Sequence, residues 1–267
     1  MGKLVPPLNS VSRYFIHMAY DGSAYCGWQI QPNELTVQQV VEHALTTILR
    51  QEISVTGAGR TDTGVHASYY MAHFDVDDST TFSPALDPEG EQFLFKLNRF
   101  LPPDILVHNI NPVPADMHAR FSAVYRTYHY HISTIKPLYN RTFCHHVYGP
   151  LDLVAIHECC AFLLETSDFT SFAKLHTDVK TNHCKVMHAE WKKVDQGYLF
   201  EIKADRFLRN MVRSLTGTLL DVGQGKLTVQ EFKDIVEAKD LSKAGQSVPA
   251  RGLFLVDIGY EKLPAKD

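Results

Sequence analysis

The chain has 267 residues, 45% hydrophobic and 21% charged, which is enough apolar material for one large domain or two smaller ones. Its net charge of −4 excludes a protein whose whole surface grips nucleic acid, but leaves room for a local basic face. No stretch reaches the roughly 20 apolar residues of a membrane span, so no membrane partner is expected. The opening MGKLVPPLNS lacks the apolar block of a signal peptide. Met1-Gly2 does not make a myristoyl acceptor, because Pro6 stands where Ser or Thr is needed. Cys26, Cys144, Cys159, Cys160 and Cys184 are odd in number and two are adjacent. That suits a reducing, cytoplasmic setting better than a disulfide framework.

In chain order, RYFIHMAY (13–20) predicts a strand and Asp21-Gly22-Ser23 a turn. TVQQVVEHALTTILR places Val37, Val40, Val41, Ala44, Leu45, Ile48 and Leu49 on one helical face, with Thr36 as N-cap. Residues 53–58 and HASYYMAHFDV predict two strands, 79–90 a loop, and EQFLFKLNRFL a helix stopped by Pro102-Pro103. Residues 105–111 predict a further strand. The order is β-α-β-β-α-β, a ferredoxin-like unit.

The second half repeats the pattern without repeating the sequence. AVYRTYHYHIS predicts a strand, and DLVAIHECCAFLLE a helix started by Asp152. KVMHAEWKKV and GYLFEIKAD predict paired strands across Asp195-Gln196-Gly197. RFLRNMVRSLTGTLLDVG predicts a helix ending at Gly223, TVQEFKDIVEAKD an extra helix capped by Thr228, and GLFLVDIGY a closing strand. The expected class is α+β: two ferredoxin-like (RRM-like) halves joined into one extended mixed sheet with a central cleft. The expected division is an N-terminal extension over 1–12, one half over 13–115 and the other over 116–267, with Pro112 and Pro114 at the junction.

GAGRTDTGVHA (57–67) holds one carboxylate, Asp62, among Gly57, Gly59 and Gly64. It lacks the Gly-Lys-Ser/Thr ending of a phosphate loop and opens no G-x-G-x-x-G helix. An Asp in such a turn commonly bonds its own backbone. Presented outward at a sheet end, it can instead act as a nucleophile, and an arginine is its most useful partner because a guanidinium does not lose its proton. Arg60 is near in sequence. Arg206, Arg209 and Arg213 fall at i, i+3 and i+7 of the predicted helix and share a face.

Two stretches have no acid. Residues 117–151 carry Arg120, Arg126, Lys136 and Arg141, and residues 206–213 carry three arginines. They are candidate basic surfaces, or ordinary surface charge. Tyr128 alternates with Tyr130 and Ile132 on one strand face, where an aromatic either packs in a core or stacks on a base. No C-x-x-C or H-x-x-x-H spacing supports a metal among the 14 histidines, and no G-x-S-x-G elbow is present.

Together these segments resemble the tRNA pseudouridine synthase A family. YDGSAYCGWQIQP (20–32), GAGRTDTGVHA, DMHARFSAVYRTYHYHI, DFTSFA (168–173), NMVRSLTG (210–217) and GLFLVDIGY (252–260) follow its motifs in order. TDTG stands where TDAG is commoner. The resemblance implies a tRNA-uridine isomerase that needs no cofactor and no metal. It acts on uridines 38, 39 and 40 of the anticodon stem-loop, as a homodimer. Asp62 is then the nucleophile; attack on the base, attack on the sugar and abstraction of a sugar proton all stay open. Tyr128 is the residue stacked on the uracil, Arg213 the partner of the carboxylate, and Arg60 the prop beside the flipped nucleotide. Leu253 and Leu255 bring an apolar contact, and His66 and Asn210 support the site. Arg120, Arg126, Arg206 and Arg209 would meet phosphates.

Two other readings compete. A doubled RRM-like protein would bind RNA without chemistry, but no RNP1 stretch is present. A retaining glycosidase would need a second carboxylate near Asp62 and would release free base.

Overall fold

The computed structural model describes residues 11–77, 91–174 and 181–261. Residues 1–10 of the expected extension, and all of the loop expected over 79–90, lie outside the described residues. The described residues form nine strands and five α-helices in a mixed α+β arrangement. In order they are β1 (Val11–Tyr20), α1 (Val37–Leu49), β2 (Val55–Gly57), β3 (His66–Asp77), α2 (Glu91–Phe100) and β4 (Ile105–Val113). There follow β5 (Ala123–Ser133), β6 (His145–His146), α3 (Leu153–Glu165), β7 (Val186–Val194), β8 (Gly197–Ala204), α4 (Met211–Gly223), α5 (Val229–Ala238) and β9 (Leu253–Tyr260).

All strands belong to one sheet, ordered β4-β1-β3-β9-β5-β8-β7, with β2 on β3 and β6 on β5. The last strand in sequence is therefore central in space. β9 runs antiparallel to β5 and parallel to the start of β3, through His66–Phe254 and Ala67–Leu255.

Apolar periodicity decides how the helices sit. Val37, Val41, Ala44, Leu45 and Leu49 of α1 are buried, and the Thr36 hydroxyl accepts from Gln39 N. Asp152 accepts from Val154 N and Ala155 N at the start of α3. Thr228 and Glu231 form a reciprocal capping box on α5. Two apolar cores result. One gathers Phe15, Leu45, Tyr70 and Phe74; the other gathers Tyr130, Ile156, Trp191, Phe200 and Leu215. Tyr128 packs against both.

One expectation needs correction. The helix expected from residue 206 begins at Met211, because Asn210 takes a left-handed backbone (φ 67°) that breaks it. Arg206 and Arg209 precede the helix, so they do not share a helical face with Arg213. Lys174 N donates to the Arg209 carbonyl at 3.1 Å, holding this segment as a bend. The two-residue strand β6 was not legible in its sequence, HH, which has no alternation to read.

Candidate active site

The loop between β2 and β3 is built around aromatic side chains. The Tyr20 and Thr61 hydroxyls hydrogen-bond at 2.9 Å, and the Tyr70 hydroxyl donates to the Gly59 carbonyl. Trp28 N donates to the Thr61 carbonyl at 3.3 Å, and the Trp28 ring stacks on Tyr70 with centroids 4.2 Å apart. Val65 N donates to the Asp62 carbonyl at 3.1 Å and closes the turn. Two of its glycines are required for different reasons. A Cβ at Gly57 would lie 2.2 Å from the Tyr70 hydroxyl and 2.4 Å from the Trp28 indole nitrogen, whereas Gly64 has φ +77°. Thr61 is buried and Asp62 beside it is not: its side chain keeps 26% of its exposure.

Two guanidinium groups meet that carboxylate. Arg213 Nη1 is 3.4 Å from Asp62 Oδ2, and Arg209 Nε is 3.8 Å from Oδ1. Arg213 comes from the first turn of α4, and its Nε donates to the Val248 carbonyl at 2.8 Å. Val248 N in turn donates to the Arg213 carbonyl. The guanidinium is thus aimed by the segment that leads into β9. Arg209 is more exposed than Arg213 and reaches Asp62 from the bend before the helix.

Tyr128 stands on β5 directly opposite Leu255 of β9, where the β5–β9 register shifts between Thr127 and Tyr128. Its ring meets Phe207 edge-on at 5.1 Å. Burial pushes its phenol up to about 12; Arg126 opposes the rise and the charge of Asp62 adds to it. The phenol is therefore neutral at pH 7, close enough to Asp62 to feel its charge. Leu253 is paired with Tyr130 and buried in the core beneath α4, so the leucine across from Tyr128 is Leu255.

The remaining expected residues fall into distinct places. Arg60 is exposed on the loop, and no hydrogen bond or ion pair holds it among the described residues. Arg120 is exposed, with its guanidinium over the Phe121 ring. Arg206 donates to the Thr181 carbonyl at 3.2 Å. Arg126 is only partly exposed: its guanidinium donates to the carbonyls of Ala58, Arg120, Ala123 and Asp205 at 2.6–3.1 Å. It ties the Asp62 loop to the other half of the sheet instead of standing free in solvent. Asn210 Nδ2 donates to Ser247 Oγ at 2.7 Å. His66 is buried under Phe254, accepting from Gly22 N and contacting the Thr142 carbonyl; burial holds its pKa down.

Sequence reasoning missed Tyr20, Trp28, Tyr70 and Val248. The first two stand in YDGSAYCGWQIQP, whose density of Tyr, Trp and Gly was a usable signal. The Val248 contact is a backbone carbonyl 35 residues from Arg213, and side-chain identity carries no trace of it. Among the described residues no three His, Cys, Asp or Glu side chains converge as metal ligands.

Comparison with known proteins follows the same outline. A family model described as tRNA pseudouridine synthase matches residues 16–122 and 161–261. A protein of Bacteroides thetaiotaomicron named tRNA pseudouridine synthase A is 52% identical over 253 residues, covering 94% of this chain and 91% of its own. Relatives of the same name from Bacteroides fragilis and Parabacteroides distasonis are 51% and 49% identical, covering 94% and 96% of this chain and 97% and 99% of theirs. With matched residues that include the Asp62 loop and the whole of α4 and β9, and relatives about half identical over nearly the whole chain, the chain belongs to the tRNA pseudouridine synthase family.

Proposed function

We propose that this chain isomerises uridine to pseudouridine in tRNA, at positions 38, 39 and 40 of the anticodon stem-loop, with Asp62 as the nucleophile. The observation that carries the reading is the pairing of Asp62 with Arg213 and Arg209 beside the half-buried Tyr128 ring. The reaction breaks the N1–C1′ bond, turns the base, and forms a C5–C1′ bond. The C5 proton leaves and N1 gains one, so no oxidant, reductant or net water is consumed. Nucleophile, cation and aromatic platform are what such a step asks of the protein.

In this reading the uridine is extruded from its stack, which costs a few kcal/mol. Arg60, unpaired and exposed two residues from Asp62, fills the gap. Tyr128 offers a neutral ring to the uracil, with Leu255 opposite it and Leu253 two residues along the same strand as apolar backing. Arg213 sets a positive charge beside the Asp62 carboxylate. Arg120, Arg206 and Arg209 face phosphates.

The two halves, 13–115 and 116–267, we read as ferredoxin-like. The orders β4-β1-β3 with β2 on β3, and β9-β5-β8-β7, support that reading. Asp62 comes from one half and Tyr128 and Arg213 from the other, so substrate would sit over the seam. We further read the chain as a homodimer in which one tRNA contacts both subunits.

A retaining glycosidase would need a second carboxylate where the fold brings two arginines. A binding module without chemistry gives no reason for two cations on one partly exposed aspartate. The test is conversion of three tRNA transcripts, each with a single uridine at 38, 39 or 40. Pseudouridine formed in all three supports the reading; formation only elsewhere in the tRNA overturns the assignment of position.

A further inference from the structure

The turn over residues 117–122, at the junction of the two halves, is held from many sides. Arg13 Nη1 donates to the carbonyls of Ala115 and Met117 at 2.9 and 3.0 Å, and Ala119 N donates to His73 Nδ1 at 3.1 Å. The Tyr260 hydroxyl donates to the Ala119 carbonyl at 2.6 Å. His118 N donates to Ser122 Oγ, and Ser122 N donates to the His118 carbonyl, each at 2.9 Å.

At the tip of this fixed turn stands Phe121, 76% exposed. Its ring is not placed for burial. Arg120 holds its guanidinium carbon 5.5 Å from the ring centroid, and the His118 ring lies 4.4 Å away. The turn is also coupled to the Asp62 loop. A single nitrogen, Arg126 Nη2, donates to the Arg120 carbonyl at 2.6 Å and to the Ala58 carbonyl at 3.0 Å. Phe121 is thus an exposed ring on a turn whose backbone is hydrogen-bonded from several sides, with a cation and an imidazole beside it. That combination of ring and positive charge is what a single-stranded base and its phosphate fit.

We propose that Phe121, with Arg120 and His118 beside it, is a stacking platform for an RNA base neighbouring the target uridine. The proposal rests on the tRNA reading above and adds to it a second aromatic contact outside the Asp62–Tyr128 pair. The platform positions substrate and takes no part in bond making. Its loss therefore weakens binding and raises KM, while bound tRNA is converted at nearly the wild-type rate.

The test compares the wild-type protein with Phe121→Ala and Phe121→Trp, using unmodified tRNA transcript labelled with tritium at uracil C5. The Ala variant is expected to bind about five- to 150-fold more weakly, the range that stacking of one base gives, with single-turnover release at saturation nearly unchanged. The Trp variant is expected to keep wild-type affinity and to lose fluorescence when tRNA binds. Trp28 and Trp191 are buried, and Trp28 packs against the Asp62 loop, so the wild-type response to tRNA is recorded in parallel and subtracted. Release by wild type together with unchanged affinity in Phe121→Ala, or no quenching in Phe121→Trp, overturns the platform and leaves the isomerase reading standing. Absence of release by wild type overturns that reading, while the affinities still decide the platform. A change of mass by light scattering in Phe121→Ala, with tRNA affinity intact, shows that the ring covers a protein contact and overturns the proposal.

Discussion

Arg213 joins two distant segments at once: its Nη1 lies 3.4 Å from Asp62 Oδ2 while its Nε donates to the Val248 carbonyl at 2.8 Å. A lysine offers one compact ammonium and no planar fork, so it cannot reproduce both contacts. Arg213→Lys should lower single-turnover tritium release by about a hundredfold, the scale of losing one positioned electrostatic group. The tRNA Kd, measured by filter binding, should change little. Equal losses in binding and rate would show that Arg213 serves affinity.

Arg126 and Arg120 separate two uses of arginine. Arg126→Ala leaves carbonyls of Ala58, Arg120, Ala123 and Asp205 without their donor. It should destabilise the fold by about 3 kcal/mol in urea denaturation. Arg120→Ala and Arg206→Ala should leave the unfolding free energy within about 0.5 kcal/mol of wild type. Each should reduce the salt slope of tRNA binding by about 1 if it meets a phosphate.

The glycines of the Asp62 loop are not equivalent. Gly57→Ala drives a Cβ into the Tyr70 hydroxyl and Trp28 indole, both on buried residues, and should cost about 1–3 kcal/mol. At Gly59 a Cβ meets nothing within 4 Å, so Gly59→Ala should stay within about 0.5 kcal/mol. Paired thermal melts of the two variants check this difference.

His73 gives a pH dependence to stability. Burial first, then the charges of Arg13 and His118, pull its pKa down to about 4, and its Nδ1 accepts from Ala119 N. Between about pH 6.5 and 4 the unfolded chain binds the proton and the folded one does not. The contribution of the neutral imidazole is therefore complete above pH 6.5 and is lost as pH falls toward 4, by an amount on the order of 3 kcal/mol. Melting temperatures measured from pH 7 to 4 should fall less steeply in His73→Asn than in wild type.

Much of this molecule is legible because its signals are local. Thr36, Asp152 and Thr228 sit one residue before their helices and cap them as their side chains allow. Tyr128, Tyr130 and Ile132 share a strand face, since alternation is a property of the strand itself. The start of α4 was not legible, because the helical spacing of Arg206, Arg209 and Arg213 continues through Asn210 while the backbone does not. Arg209 nonetheless reaches Asp62, through a bend. Arg126 looked like a surface cation, and only the fold supplies the four carbonyls around it. Leu253 and Leu255 lie on one strand face, and the register of β5 with β9, which sequence does not fix, puts Leu255 opposite Tyr128.

The central claim is that Asp62 performs the isomerisation. The most direct test follows tritium release from C5-labelled tRNA with wild type and Asp62→Asn, which keeps the side chain's shape and removes its charge, with tRNA affinity measured for both. The account predicts release by wild type, none above background by the variant, and binding by both. Release by Asp62→Asn at a rate near wild type, with binding retained, would contradict it.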